Sequence, residues 1–184
     1  MAADAAARWV AFLRAINVGG RRVRMDALRD LFGELGFADV ATHVASGNVI
    51  FRAAGTSEQM RARIEAGLRD ALGFDVPAYL RSERDVAGIV AAHPFGDVPE
   101  AQVQVAFLRT PPTAAALRAL RALQTPRDRL EPGGAHLYWL ATDGVGRSTL
   151  SWPKVEAALG SPTTVRSLTS LRRLAAANGM GASG

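Results

Sequence analysis

Residues 10–14 read Val-Ala-Phe-Leu-Arg, and the same five residues return at 105–109. Both copies sit in apolar runs, Trp9 to Leu13 and Val105 to Leu108. Apolar residues without helical spacing read as strands buried on both faces. A second match follows each. Arg81-Ser82, with Val86, Ile89, Ala91 and Ala92, recurs as Arg166-Ser167 with Leu171, Leu174, Ala176 and Ala177. This match lies 85 positions apart, against 95 for the pentapeptide, so the second copy has a shorter middle.

The elements between these marks fall in one order. Met25, Leu28, Leu31, Phe32 and Leu35 recur at helical spacing, with Gly36 as the stop. Val40–Val44 and Asn48–Arg52 read as strands around an Ala45-Ser46-Gly47 turn. Thr56 and Gln59 form a capping box for a helix that runs to Gly73. Val76–Leu80 reads as a strand, placed at a sheet edge because Pro77 donates no ladder bond. A short helix follows over 83–92 and breaks at His93-Pro94-Phe95-Gly96. The second half repeats the pattern: strand 102–109, helix 113–123, strands around Pro132-Gly133-Gly134, a helix after Trp152-Pro153, strand 163–165 and a closing helix over 168–178.

The order is β-α-β-β-α-β, twice. The expected fold is therefore α+β: two ferredoxin-like units related by duplication, with antiparallel or mixed sheets and helices packed on them. Residues 1–95 would hold the first unit and a linker helix, and 96–184 the second unit and a C-terminal helix. A thin unit of this kind leaves the second face of its sheet to be covered by the other unit or by a second copy of the chain.

Composition excludes several chemistries. The 184 residues contain no Cys, so no disulfide, thiolate nucleophile or iron–sulfur cluster is expected. His43, His93 and His136 are too scattered for a metal site, and no cofactor is expected. No run approaches the length of a membrane span, and the first residues lack a secretory pattern, so the expected compartment is the cytoplasm. The net charge of +5 comes from 21 Arg and one Lys against 17 acids. Residues 1–95 carry 12 basic and 11 acidic residues, and residues 96–184 carry 10 and 6. Arg in an Ala- and Gly-rich chain reads more as coding bias than as a nucleic-acid footprint. The aromatics Phe12, Phe51, Phe107, Tyr138 and Trp139 read as core, not as a base-stacking platform.

Topology brings two loop clusters together. The loop after the first strand should meet the first hairpin turn, gathering Arg14, Asn17, Gly19, Gly20, Ser46, Gly47 and Asn48. Gly19-Gly20 admits a ligand to the backbone, the next helix offers N–H groups, and Arg14 offers a guanidinium fork, which together suit an anion. In the second unit Arg147 and Ser148 should share a sheet end with Arg166 and form a second anion contact. Neither Ser46 nor Ser148 stands in a nucleophile elbow, and paired carboxylates are missing from both clusters.

Phe12-Leu-Arg-Ala-Ile-Asn-Val-Gly-Gly20, with Met25 and Leu28, and Ser46-Gly-Asn-Val-Ile-Phe51 carry a resemblance. With them the chain resembles the bacterial domain of unknown function family 1697. His93-Pro94-Phe95 and Gly144–Ser148 fit two further motifs of that family. The resemblance implies a two-part α+β fold and no established activity. One segment departs: where members often carry Arg-Asn-Trp-Asn-Thr, this chain has Arg166-Ser-Leu-Thr-Ser170, and His43 and Ala45 replace a common Tyr and Gln.

The functional expectation is binding of an anionic, phosphate-bearing ligand, such as a nucleotide or nucleic acid, by a monomer or homodimer. An enzyme acting on a phosphate-bearing small molecule and a subunit-interaction module are the alternatives.

Overall fold

β1 (Ala7–Leu13) holds the centre of the first sheet, paired antiparallel with β3 (Asn48–Ala53) on one side and β4 (Ala78–Ser82) on the other. The computed structural model describes residues 6–17, 19, 22–43 and 47–181. Its chain divides into two compact units, Met1–Val86 and Ala87–Gly184. In the first, β2 (Ala38–His43) completes the order β2-β3-β1-β4, with α1 (Met25–Glu34) and α2 (Ser57–Leu72) as crossovers.

Alternation along β1 decides what each face does. Trp9, Ala11 and Leu13 join Val49, Phe51 and Leu80 in one core with Leu28 and Phe32 of α1 and Ile64 and Leu68 of α2. Val10, Phe12, Ile50 and Tyr79 point the other way and are buried as well.

Local signals set the helix ends. Gly36 closes α1 in a Schellman arrangement: Phe37 N–H donates to Phe32 O at 3.2 Å and Gly36 N–H to Gly33 O at 2.8 Å. The Phe32 and Phe37 rings meet at 5.8 Å over this turn, and the Phe37 and Phe51 rings pack in a tilted pair at 4.5 Å. The Thr56–Gln59 capping box is present in both directions. β4 lies at the sheet edge and begins at Ala78, after Pro77, two residues later than the spacing suggests.

α3 (Glu83–Ala91) leads out of the first unit. The second has β5 (Val103–Phe107), α4 (Ala114–Leu123), β6 (Asp128–Pro132), β7 (His136–Ala141), α5 (Trp152–Leu159), β8 (Thr164–Ser167) and α6 (Leu168–Ala177). Its order, β6-β7-β5-β8, repeats that of the first. The repeat holds in register as well as in letters. Val10 pairs with Arg81, and Val105 pairs with Arg166. Ser82 and Ser167 follow these arginines, and each hydroxyl caps the next helix, accepting from Asp85 N–H and Ser170 N–H.

The β6–β7 hairpin has a tight steric requirement. A Cβ at Gly133 would stand 2.1 Å from Nε2 of the buried His136, while Gly133 N–H donates to His136 O. Gly133→Ala should therefore destabilise the protein by about 1–3 kcal/mol. The measurement is a lower urea midpoint with an unchanged slope.

Candidate functional site

The loop after β1 and the turn before β3 do meet. Leu13 N–H donates to Gly47 O at 2.9 Å, and a Cβ at Gly47 would lie 2.7 Å from Ile16 Cγ2. Gly47 also has φ +77°, in the left-handed region. Arg14 is half-buried at the base of the loop, its N–H bonded to Pro77 O at 2.9 Å. Ala15 follows at φ +55°, a strained conformation for a residue with a Cβ. The Asn17 side chain closes the loop by accepting Val23 N–H at 2.8 Å. Gly19 is exposed, and no described residue lies within 4 Å of where its Cβ would stand. Asn48 is wholly buried in the ladder between Phe12 and His43. Gly20 and Ser46 lie outside the described residues.

One expectation changes here. The start of α1 does not offer a bare set of N–H groups. Asp26 takes Ala27 N–H at 2.8 Å and pairs with Arg24. The Arg24 hydrogen bond, then the Ala27 N–H, hold the Asp26 carboxyl below its usual range. A negative charge already sits in that first turn.

The second cluster does not assemble. Ser148 Oγ donates to Asp128 Oδ1 at 2.6 Å and accepts Leu150 N–H at 3.0 Å. Asp128, 1 % exposed, also accepts from Trp139 Nε1 and Thr125 Oγ1, both at 3.0 Å. These contacts draw the Gly144–Ser148 turn to β6, on the helix-covered face with Leu130 and Trp139. Arg166 lies within β8, not after it, and faces the other side with Val105 and Tyr138. β6 and β8 are three strand spacings apart, about 14 Å. Arg147, exposed in the turn, and Ser148 therefore do not share an anion with Arg166.

Arg166 is instead a half-buried cation within the sheet. Its Nη1 donates to Thr164 Oγ1 and Val165 O, both at 2.9 Å. Burial pushes its guanidinium down to about 10, so it stays charged at neutral pH. Arg81, its counterpart in the repeat, is also pushed down by burial, partly opposed by Asp85. Its Nη1 donates to Leu80 O at 2.6 Å. The repeated Arg-Ser pair marks both positions in the sequence; nothing local marks Asp128.

The sheet aromatics are core. Phe12, Phe51, Phe107, Tyr138 and Trp139 are buried, and Tyr138 OH donates to Ile89 O at 2.9 Å. Among the described residues no group of three His, Cys, Asp or Glu side chains is placed to hold a metal ion. No helix among them is long and apolar enough to cross a membrane.

The family described as "Protein of unknown function (DUF1697)" matches residues 6–138, well over half of the sequence. The chain belongs to that family. The match takes in the β1–α1 loop, the Gly47 turn and Asp128, all described above. The chain is also similar to a solved structure, a conserved bacterial protein from Streptococcus pneumoniae. The two are 20% identical, with a TM-score of 0.73 over 94% of this chain and 98% of that one, a likeness of fold. A search of curated proteins gives no match.

Asp128 gives this DUF1697 member a testable polar centre. Asp128→Ala would strand the Trp139 N–H and remove the partner of Ser148, at about 1–3 kcal/mol for each group left unpaired. Asp128→Asn keeps an acceptor oxygen and should lose less. Thermal unfolding followed by tryptophan fluorescence separates the two.

Proposed function

We propose that the chain binds an anionic, phosphate-bearing ligand where the β1–α1 loop meets the β2–β3 turn. The proposed set is Arg14, Asn17, Gly19 and Gly20 from the loop, with Ser46 and Gly47 from the turn and the buried Asn48 supporting the turn from the ladder. The observation that supports this most is the clamp between the two segments, the Leu13–Gly47 hydrogen bond and the close seat of Gly47 on Ile16. It holds Leu13 and Ile16, on either side of Arg14, against Gly47, and so lowers the ordering cost of that part of the two segments on binding. Gly19 adds an exposed point of main chain with no described side chain close to it. Arg14 supplies the charge, and a guanidinium suits bidentate contact with phosphate oxygens. The Asp26 carboxylate limits how much the α1 N-terminus contributes, so binding rests on Arg14 more than on the helix dipole.

A thermal-shift screen tests this reading with ATP, sugar phosphates and short oligonucleotides, on the wild type and on Arg14→Ala. A ligand at 100 times its Kd adds about 2.7 kcal/mol, or roughly 5–10 °C in a chain of this size. The expected result is a shift for one of these probes that disappears in Arg14→Ala. Equal shifts in both proteins would remove the Arg14 site. If an oligonucleotide is the active probe, the logarithm of its affinity should fall with log salt, with a slope near −0.9 per phosphate contact on duplex.

A further inference from the structure

A sheet edge is a template for another strand, and β4, β6 and β8 each stand at one. In an antiparallel ladder, alternate residues turn N–H and C=O toward one neighbour, and those between turn them away. Arg14 N–H donates to Pro77 O, so Tyr79 and Arg81 serve β1, and Ala78, Leu80 and Ser82 face out from β4. Side chains meet these outward groups. Ala78 N–H donates to Glu65 Oε1 at 2.9 Å, Leu80 O accepts from Arg81 Nη1 at 2.6 Å, and Ser82 N–H donates to Asp85 Oδ2 at 3.0 Å. The second unit repeats the arrangement. Leu108 N–H donates to Ala135 O, so Val105 and Phe107 serve β8, and Thr163 and Val165 face out from it. Thr163 N–H donates to Glu156 Oε1 at 2.8 Å, and Val165 O accepts from Arg166 Nη1 at 2.9 Å. At the opposite edge, Gly133 N–H donates to His136 O, so Asp128, Leu130 and Pro132 face out from β6. Asp128 N–H donates to Thr125 Oγ1 at 3.0 Å, Leu130 O accepts from Gln124 Nε2 at 3.2 Å, and Pro132 has no N–H. The remaining edge, β2, carries a bulge between Ala38 and Ala41.

We propose that these contacts guard against strand addition, and that Arg81, Arg166 and Gln124 keep the sheet edges from pairing with a second copy of the chain. Each fills an outward carbonyl that the N–H of an incoming strand would need. Water would satisfy a carbonyl at a sheet rim as well, so solvation alone does not call for a side chain there. Arg81 and Arg166 are two copies of one device. Gln124 reaches the same result from a helix end with different chemistry, so the pattern is more than an inheritance of the repeat. The two arginines also place a charge where a symmetric edge-to-edge pair would bring like against like. The guard lies apart from the proposed phosphate site, and the two readings stand or fall separately.

The test is molecular mass by light scattering over a concentration series, on Arg166→Met and on Gln124→Met. Methionine keeps an apolar stem and loses the donors. Each variant opens one edge, so its mass should rise with concentration toward twice that of the wild type and stop there. The double variant opens both edges of the second sheet, and its assemblies should keep growing. Arg129→Met removes an exposed charge from β6 but no outward bond, and should keep the wild-type mass. In associated Arg166→Met, hydrogen exchange of the outward Val165 amide should slow by about tenfold. Circular dichroism checks that each variant is folded, and a failure of one to fold leaves the other edge to decide. The proposal is overturned if the folded variants keep the wild-type mass at every concentration. It is equally overturned if Arg129→Met associates as they do, or if association leaves the Val165 amide unchanged.

Discussion

The second half of β1 and the whole of β5 meet water on neither face, and the layout of each unit follows from that. Val10, Ala11, Phe12 and Leu13 are buried in succession, as are Val103 to Leu108. A strand of this kind needs hydrogen-bonding neighbours on both sides, because an unpaired backbone group in such surroundings is costly. It therefore takes the middle of the sheet: β1 lies between β3 and β4, and β5 between β7 and β8. Burying each large apolar side chain is worth about 1.5–3 kcal/mol, so these two strands anchor both cores. The loops that leave their ends start from fixed points, and the proposed phosphate site begins at one of them.

The two units share this frame and differ in what they hang on it. The first connects its central strand to α1 through a long loop that carries Asn17 and Gly19, closed by the Asn17–Val23 hydrogen bond. The second reaches α4 by a shorter route through Pro111-Pro112. The half-buried arginines opposite Val10 and Val105 are common to both. The polar network around Asp128 belongs to the second unit.

Legibility in the sequence followed the range of the interaction. The Thr56–Gln59 box, the Gly36 and Gly73 helix stops and the hairpin at Gly133 are set within a few residues, and each is where the spacing puts it. The repeated pentapeptide carries the duplicated strand order, because an apolar run on both faces has one stable position in a sheet. The meeting of the β1–α1 loop with the turn before β3 was readable as well, since strand order alone brings Leu13 and Gly47 together. The second was not. Whether Arg166 belongs to the strand or to the turn beyond it shifts which face it occupies, and one residue of register decides that. The contact between Ser148 and Asp128 spans 20 positions and joins two side chains, a pairing that no local pattern announces.

Gly47 shows how tightly the first cluster is constrained. Two separate demands fall on it: the left-handed backbone and the absent Cβ beside Ile16. Trimming Ile16 would relieve the crowding but leave the backbone strained. Recasting the turn would relax the backbone but give up the Leu13 contact. A lineage that lost this glycine would thus have no single compensating change open to it. It would need turn and loop rebuilt together, and Arg14 would lose its fixed position in the process.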